Sequence, residues 1–264
     1  MIKIGVVGAL GKMGREVINA VLKAEDMQLV CAIDIREEGT DIGTVVTGKE
    51  TGVKISTDIV SSIKACNPDV MIDFTQPQGI FEHVKLYINN NVKSVIGTTG
   101  LKEDEVKALK EHALKNNTGC LIAPNFSTGA VLMMMFSKMA AKYFNNAEII
   151  ELHHNQKKDA PSGTAIKTAQ MMAEVNNNFT LNNCPETETM KGARGANANG
   201  NIHIHSVRMP GYIASQEVIF GASGQIFKIR HDSMDRTCYM DGVLLAVRHV
   251  YDRNDFVYGL DNIM

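Results

Sequence analysis

"KIGVVGALGKMG" (residues 3–14) decides the fold. Its first half is a continuous apolar run, the pattern of a strand buried on both faces. Its second half places Gly8, Gly11 and Gly14 at G-x-x-G-x-x-G spacing. The next segment, "GREVINAVLKAE", has apolar residues at helical spacing. Glycines between a strand and a helix allow a tight turn and a close approach of backbone to a pyrophosphate. The helix start then offers N–H groups and dipole to the phosphates. "MQLVCAID" supplies a second strand ending at Asp34, 20 residues after Gly14. An acid there is placed to hydrogen-bond an adenosine ribose hydroxyl. These features predict a dinucleotide-binding, Rossmann-type domain. Asp34 favours NAD, because a carboxylate repels a 2′-phosphate. Arg36 and Lys12 stand where either can accommodate that phosphate, so NADH and NADPH are both expected cofactors.

The rest of the first half supports this reading. "DVMIDFT", "KSVIGTT" and "GCLIAPNFS" are further apolar strands, and "KEDEVKALKEHALKNN" is a charged amphipathic helix. Strands alternating with helices imply a parallel sheet. Polar residues gather where those strands end: Thr75, Thr98, Thr99 and Asn125. Open α/β sheets bind ligands at such ends, although turn chemistry alone also uses these residue types.

The second half reads differently. "GAVLMMMFSKMAA" from Gly129 is a Met-rich helix, expected to be buried. "AEIIELHH", "NIHIHSVRM" and "QEVIFGASGQIFKIRH" alternate as strands do, with "GASG" turning a hairpin. "SGTAIKTAQMMAEV" is a helix, and 176–201 is loop-like. This half predicts an α+β domain built on antiparallel strands. The expected division is 1–127 for the dinucleotide-binding domain and 128–236 for the second. The helix "YMDGVLLAVRHVY" and the rest of 237–264 are expected to pack back on the first.

Composition narrows the function classes. The chain of 264 residues has net charge −2, 44% apolar and 21% charged residues. No basic run resembles a nucleic-acid footprint, and no stretch reaches the roughly 20 apolar residues of a membrane span. "MIKIGVV" begins as a strand, so no signal peptide is expected. Cys31, Cys66, Cys120, Cys184 and Cys238 are scattered, without a Cys-x-x-Cys pair. Such thiols suit a reducing cytoplasm.

"ELHHNQKKDAPSGTA" (151–165) concentrates the remaining chemistry. Adjacent histidines on a strand point to opposite faces and make a poor metal clamp, so no metal is expected. Lys158 reads as a solvated lysine. If the strand register continued, His153 and Lys157 would share a side. Ser162 is a good N-cap, so Gly163 and Thr164 would present unpaired N–H groups to a carboxylate or phosphate. Histidine titrates near neutrality, and a lysine near other cations is more easily deprotonated. A reduction by hydride needs a proton to finish it, and this cluster can supply one.

Together with "DFT" at Asp73, "GTTG" at Gly97, "APNFS" at Ala123, "HSVRMPGYIASQEVIFG" and "HDSMDRTCYMDGVLLA", this segment resembles the dihydrodipicolinate reductases of lysine and diaminopimelate biosynthesis, over essentially the whole chain. The resemblance implies hydride transfer from NADH or NADPH to a cyclic imine dicarboxylate. It implies His153 as general acid and Lys157 as proton donor. It places His154, Gly163 and Thr164, with Arg236, at the substrate. Cofactor contacts fall on Gly8, Ala9, Leu10, Gly11, Lys12, Met13, Asp34 and Arg36. Gly97, Thr98, Thr99, Ala123, Pro124, Asn125 and Phe126 complete the implied cofactor set. A homotetramer built through the second domain's sheet is also implied. Two positions depart from some members: Ile35 rather than a basic residue follows Asp34, and Gln76 replaces an arginine. Two other readings remain at this point. Another two-domain dehydrogenase has no need of His-His-x-x-Lys with Ser-Gly-Thr. A dinucleotide-sensing regulator has no need of paired proton donors.

Overall fold

The structure is a computed structural model and describes residues 1–180, 185 and 187–264. The chain divides into two compact units, Met1–Ser127 with Tyr239–Met264, and Thr128–Cys238.

In the first unit strands and helices alternate: β1 (Ile2–Val7), α1 (Lys12–Lys23), β2 (Met27–Ile33), α2 (Ile42–Thr47), β3 (Ile55–Ser56), α3 (Ile59–Cys66), β4 (Val70–Asp73), α4 (Pro77–Asn89), β5 (Lys93–Ile96), α5 (Glu103–Lys115) and β6 (Cys120–Ile122). The second unit contributes α6 (Thr128–Ala140), β7 (Asn146–His153), α7 (Gly163–Ala173), β8 (Ala196–Ala198), β9 (Ile202–Arg208), β10 (Ala214–Ala222) and β11 (Gln225–Ser233). The chain then returns to the first unit with α8 (Met240–Asp252) and β12 (Phe256–Tyr258).

Among the described residues the first unit holds a seven-stranded parallel sheet, ordered β12-β6-β5-β4-β1-β2-β3. Its strands are apolar runs because helices cover both faces: Ile4, Val6, Met71, Ile72 and Val95 are fully buried. The short pieces α2, α3, β3 and β12 carry too little periodicity to be read from sequence. Asp41 and Asp58 cap the two helices by accepting from Thr44 N and Ser61 N.

The second unit has a five-stranded sheet, ordered β11-β10-β7-β9-β8. β10 pairs antiparallel with both β11 and β7, and its hairpin turns at Gly224, with φ 74°. The expectation of an antiparallel sheet is corrected at β7 and β9, which pair in parallel. Helix α7 lies in the connection between them, and such a crossover is what parallel pairing requires. The expected loop over 176–201 is also corrected, because β8 pairs with β9 inside it. Residues 181–184 and 186 of that stretch lie outside the described residues.

The core of this unit joins Ile149, Val218, Phe220, Ile202 and Ile204 of the sheet to Ala165, Ala169 and Met172 of α7. The Met-rich helix α6 is only half buried. Met133 and Met134 face inward, while Leu132, Phe136 and Met139 are exposed. No helix among the described residues is long and apolar enough to cross a membrane.

Candidate active site

Within the first sheet, β1 lies between β2 and β4. The chain runs outward from β1 on one side, then crosses to the other. Ligands bind at the carboxyl ends of strands where the order reverses in this way. A cavity of about 480 Å³ opens there, lined by Gly8, Gly11, Asp34 and Arg36 among others. Gly8 has φ +77°, and a Cβ on it would stand 2.8 Å from the Phe74 carbonyl oxygen. A Cβ on Gly14 would stand 2.1 Å from the Gly8 oxygen. The loop therefore folds against the helix start more tightly than any side chain permits, leaving backbone as its exposed surface. Gly11 is the N-cap of α1, and the first-turn amides have no intrahelical partner.

Asp34, just past β2, is nearly buried. One carboxylate oxygen accepts the Leu10 N–H (2.9 Å); the other accepts the Arg36 N–H (3.3 Å) and guanidinium Nε (3.2 Å). The acid expected to read a ribose thus also anchors the glycine loop, and Arg36 rests on it. Ala9 and Leu10 turn their side chains into the core, so only their backbone can meet a ligand. Lys12 is exposed and Met13 half-buried.

Phe74, Thr75 and Gln76 at the end of β4 also line this cavity, whereas the ends of β5 and β6 are not among its lining residues. A Cβ on Gly97 would fall 1.9 Å from the Phe74 ring, so its glycine is required by packing. The Thr98 hydroxyl donates to the Thr75 carbonyl (3.2 Å), and Asn125 Oδ1 accepts the Ser127 N–H (2.9 Å). Ala123 and Phe126 are buried, with the Phe126 ring 5.7 Å from that of Phe74. Thr99 and Pro124 are exposed. Sequence reasoning missed the polar network beneath. The fully buried Asp73 carboxylate accepts from Tyr87 Oη (2.6 Å), Thr75 Oγ1 (2.6 Å) and the Thr75 N–H (2.9 Å). His83 Nδ1 lies 2.9 Å from it, and His83 also lines the cavity. Burial, with Asp73 beside it, pushes the Tyr87 hydroxyl well above its ordinary pKa.

In the second unit, β7 ends at His153 and the chain turns, so strand register does not relate His153 to Lys157. His153 Nδ1 lies 2.5 Å from Glu151 Oε2. Glu151 is fully buried and takes a bidentate pair from Arg208, both contacts at 2.8 Å. The Ser162 N–H also donates to it (3.2 Å). Burial alone would raise this carboxyl. Hydrogen bonds from His153, Arg208 and Ser206 outweigh it and hold the pKa at about 2.

The partner of Lys157 is a carboxylate rather than the expected cations. Its ammonium donates to both Asp159 oxygens at 2.8 Å and holds that carboxyl below the usual range. Lys158 is exposed, as read. Ser162 caps α7 by accepting the Ala165 N–H (3.2 Å), and a Cβ on Gly163 would meet nothing within 4 Å. His154 Nδ1 is buried without a hydrogen-bond partner among the described residues. Arg236 opens a short 3-10 turn and makes no hydrogen bond to this cluster among the described residues. Those residues contain no group of three or more His, Cys, Asp or Glu able to hold a metal.

Glu151, Arg208 and Asp159 escaped the sequence reading. One signal was available: Glu151 sits two residues from Ile149, on the buried register of β7.

Comparison with known proteins gives a consistent answer. Residues 2–126 match the N-terminus of dihydrodipicolinate reductase, and residues 129–264 match its C-terminus. A 4-hydroxy-tetrahydrodipicolinate reductase of a Picosynechococcus species is 51% identical over 263 residues, covering 97% of this chain and 96% of its own. That of Desulfitobacterium hafniense is 47% identical, covering 100% and 98%. A dipicolinate-bound dihydrodipicolinate reductase from Paenisporosarcina sp. TG-14 superposes with TM-score 0.89 at 45% identity, over 100% of both chains. An amine dehydrogenase from Mycobacterium smegmatis shares the fold alone, with TM-score 0.70 at 13% identity. The chain belongs to the dihydrodipicolinate reductase family.

Proposed function

We propose that the chain reduces the product of 4-hydroxy-tetrahydrodipicolinate dehydration to tetrahydrodipicolinate, in lysine and diaminopimelate biosynthesis. The observation that carries the mechanism is the Glu151–Arg208 pair, which joins His153, the Ser162 cap of α7 and, through Asp159, Lys157 within the second unit of a reductase of this family. NADH or NADPH, when held by the glycine loop and Asp34, would supply the hydride.

The chain's own residues do the rest. The glycine loop fits a dinucleotide because its backbone is bare at Gly8 and Gly14, and Asp34 stands on the same cavity. Its pairing with Arg36 supports use of both cofactors: the acid serves a free ribose, and the guanidinium can turn to a 2′-phosphate. The amides at Gly163 and Thr164 receive a substrate carboxylate, with open space in front of Gly163. His154, with a buried nitrogen left to pair, and Arg236 add contacts to the dicarboxylate. His153, with Lys157 beside the same helix start, delivers the proton that completes the reduction.

The exposed Ile226 and Phe227 on β11 support assembly through this sheet into a homotetramer, and four free thiols fit a reducing cytoplasm. Cys184 lies outside the described residues.

Steady-state rates with freshly generated substrate and each cofactor test the reading. Replacing His153 or Lys157 lowers kcat by about 10²–10⁴-fold and leaves dinucleotide affinity nearly unchanged. A protein that oxidises neither NADH nor NADPH refutes the function. Near-normal kcat in both variants refutes the roles.

A further inference from the structure

Glu151 presents a physical problem whose solution has a consequence for His153. It lies on β7 on the same face as His153, two residues on, and none of it reaches solvent. A buried carboxylate is costly unless its oxygens are paired. Here both are. Oε2 accepts from Arg208 Nη1 (2.8 Å) and lies 2.5 Å from His153 Nδ1. Oε1 accepts from Arg208 Nη2 (2.8 Å) and the Ser162 N–H (3.2 Å).

Arg208 is held in place in turn. It sits opposite His153 in the parallel β7–β9 register, and its Nη2 also donates to the Asp159 carbonyl (2.8 Å). The Asp159 carboxylate carries Lys157. One buried ion pair therefore touches the imidazole, the anion-receiving helix start and the residue that holds the lysine.

An ionised carboxylate can only accept hydrogen bonds. The hydrogen between it and His153 must therefore sit on Nδ1. The carboxylate stays ionised at every working pH, because its hydrogen bonds hold its pKa at about 2.

We propose that Glu151, fixed by Arg208, is a positioning residue: it locks the His153 ring with a proton on Nδ1 and leaves Nε2 as the nitrogen that gives its proton to the substrate. In the charged ring both nitrogens carry hydrogen. Hydride addition leaves an electron pair on the substrate, the Nε2–H bond breaks, and that pair takes the proton. The ring is left neutral in its Nδ1–H form and regains the Nε2 proton from solvent. The carboxylate stays unprotonated throughout and keeps its hydrogen bond to Nδ1 before and after transfer. This inference rests on the reading of His153 as the proton donor.

Three measurements test it. The first is the ¹⁵N spectrum of histidine-labelled protein without substrate, with His153 assigned by its loss in His153→Gln. The neutral ring should be the Nδ1–H tautomer in the native protein. In Glu151→Gln an Nε2–H population should appear, because an amide can donate as well as accept. The second is turnover. Glu151→Gln should lower kcat by about 10²–10⁴-fold, with substrate KM and dinucleotide affinity little changed.

The third covers a folding defect, since Glu151→Gln leaves the Arg208 charge unpaired. The double variant Glu151→Gln/Arg208→Met removes both charges. It should fold and should still lack turnover. A native Nε2–H tautomer overturns the proposal, as does near-native kcat in Glu151→Gln or restored kcat in the double variant. A native protein with no reductase activity refutes the functional reading instead, and the tautomer measurement still decides this one.

Discussion

Replacing Asp34 with asparagine should separate its two tasks. One carboxylate oxygen holds the Leu10 N–H at 2.9 Å, and an asparagine amide oxygen can keep that bond. The glycine loop should therefore keep its shape. The other oxygen carries Arg36, whose side chain is 61% exposed, and an ion pair so solvated contributes under about 1 kcal/mol. Thermal stability should thus fall only slightly. The effect on cofactors should be larger and unequal. A ribose hydroxyl donating to a charged acceptor is worth about 1.5–3 kcal/mol. Losing the charge should raise the dissociation constant for NADH by about 10–150-fold, at 1.4 kcal/mol per tenfold. NADPH should be spared, because the repulsion of its 2′-phosphate disappears and Arg36 is released toward it. The affinity ratio should shift toward NADPH by at least about tenfold. Equilibrium titration of each cofactor, beside a thermal melt, reads all of this. Equal weakening of both cofactors with a large drop in melting temperature would refute the reasoning. Asp34 would then act only as the anchor of Leu10.

Two further outcomes follow from the second unit. Gly163→Val adds side chain into open space at the α7 start, so folding should be unaffected. Substrate KM should rise by about tenfold or more, as for a lost charge-assisted hydrogen bond, while cofactor affinity holds; an unchanged KM would remove the carboxylate from this helix start. The second outcome concerns pH. Glu151 has its carboxyl lowered to about 2 from an ordinary 4.5. A depressed acid stabilises the fold above its unfolded pKa, and that contribution is lost as pH falls through the folded one. The difference of about 2.5 units corresponds to about 3 kcal/mol. Denaturation of native and Glu151→Gln protein should show their stability gap shrinking by about that amount between pH 5 and pH 2. A gap independent of pH contradicts the assignment.

What could be read from the sequence follows from how local each feature is. The strand–glycine–helix unit at residues 2–23 is local, and so is the apolar run of each parallel strand. Ser162 as a cap is local too, since its oxygen bonds a residue three positions on. These features stood in the sequence. Parallel pairing of β7 with β9 is not local: both strands alternate, and alternation does not specify direction. The partners of the charges are equally remote. Arg208 is 57 residues from Glu151, and Tyr87 is 14 from Asp73. Yet the need for a partner was legible. A carboxylate on the same register as Ile149 must be matched by a cation somewhere, and "HSVR" was the strand able to supply one. Gly97 shows the reverse limit. Its place in a motif predicts a cofactor contact, and the Phe74 ring against it adds a packing reason for glycine that the motif does not contain.

The cost of the Glu151–Arg208 pair bears on why it exists. Desolvating two ions roughly cancels their attraction, so an apolar pair of similar volume would often fold as well or better. Removing one partner alone costs about 3–5 kcal/mol, because it strands the other charge. Sensitivity to single substitutions at these positions is therefore poor evidence of stabilisation. It is equally poor evidence of catalysis, since an unfolded enzyme also loses turnover. Stability alone gives no reason to keep a carboxylate on the buried face of β7. What an apolar pair cannot do is hold a proton on one nitrogen of His153 while bracing the Ser162 turn and the carbonyl of Asp159. If folding and turnover part company in the charge-free pair, geometry is what the ion pair provides.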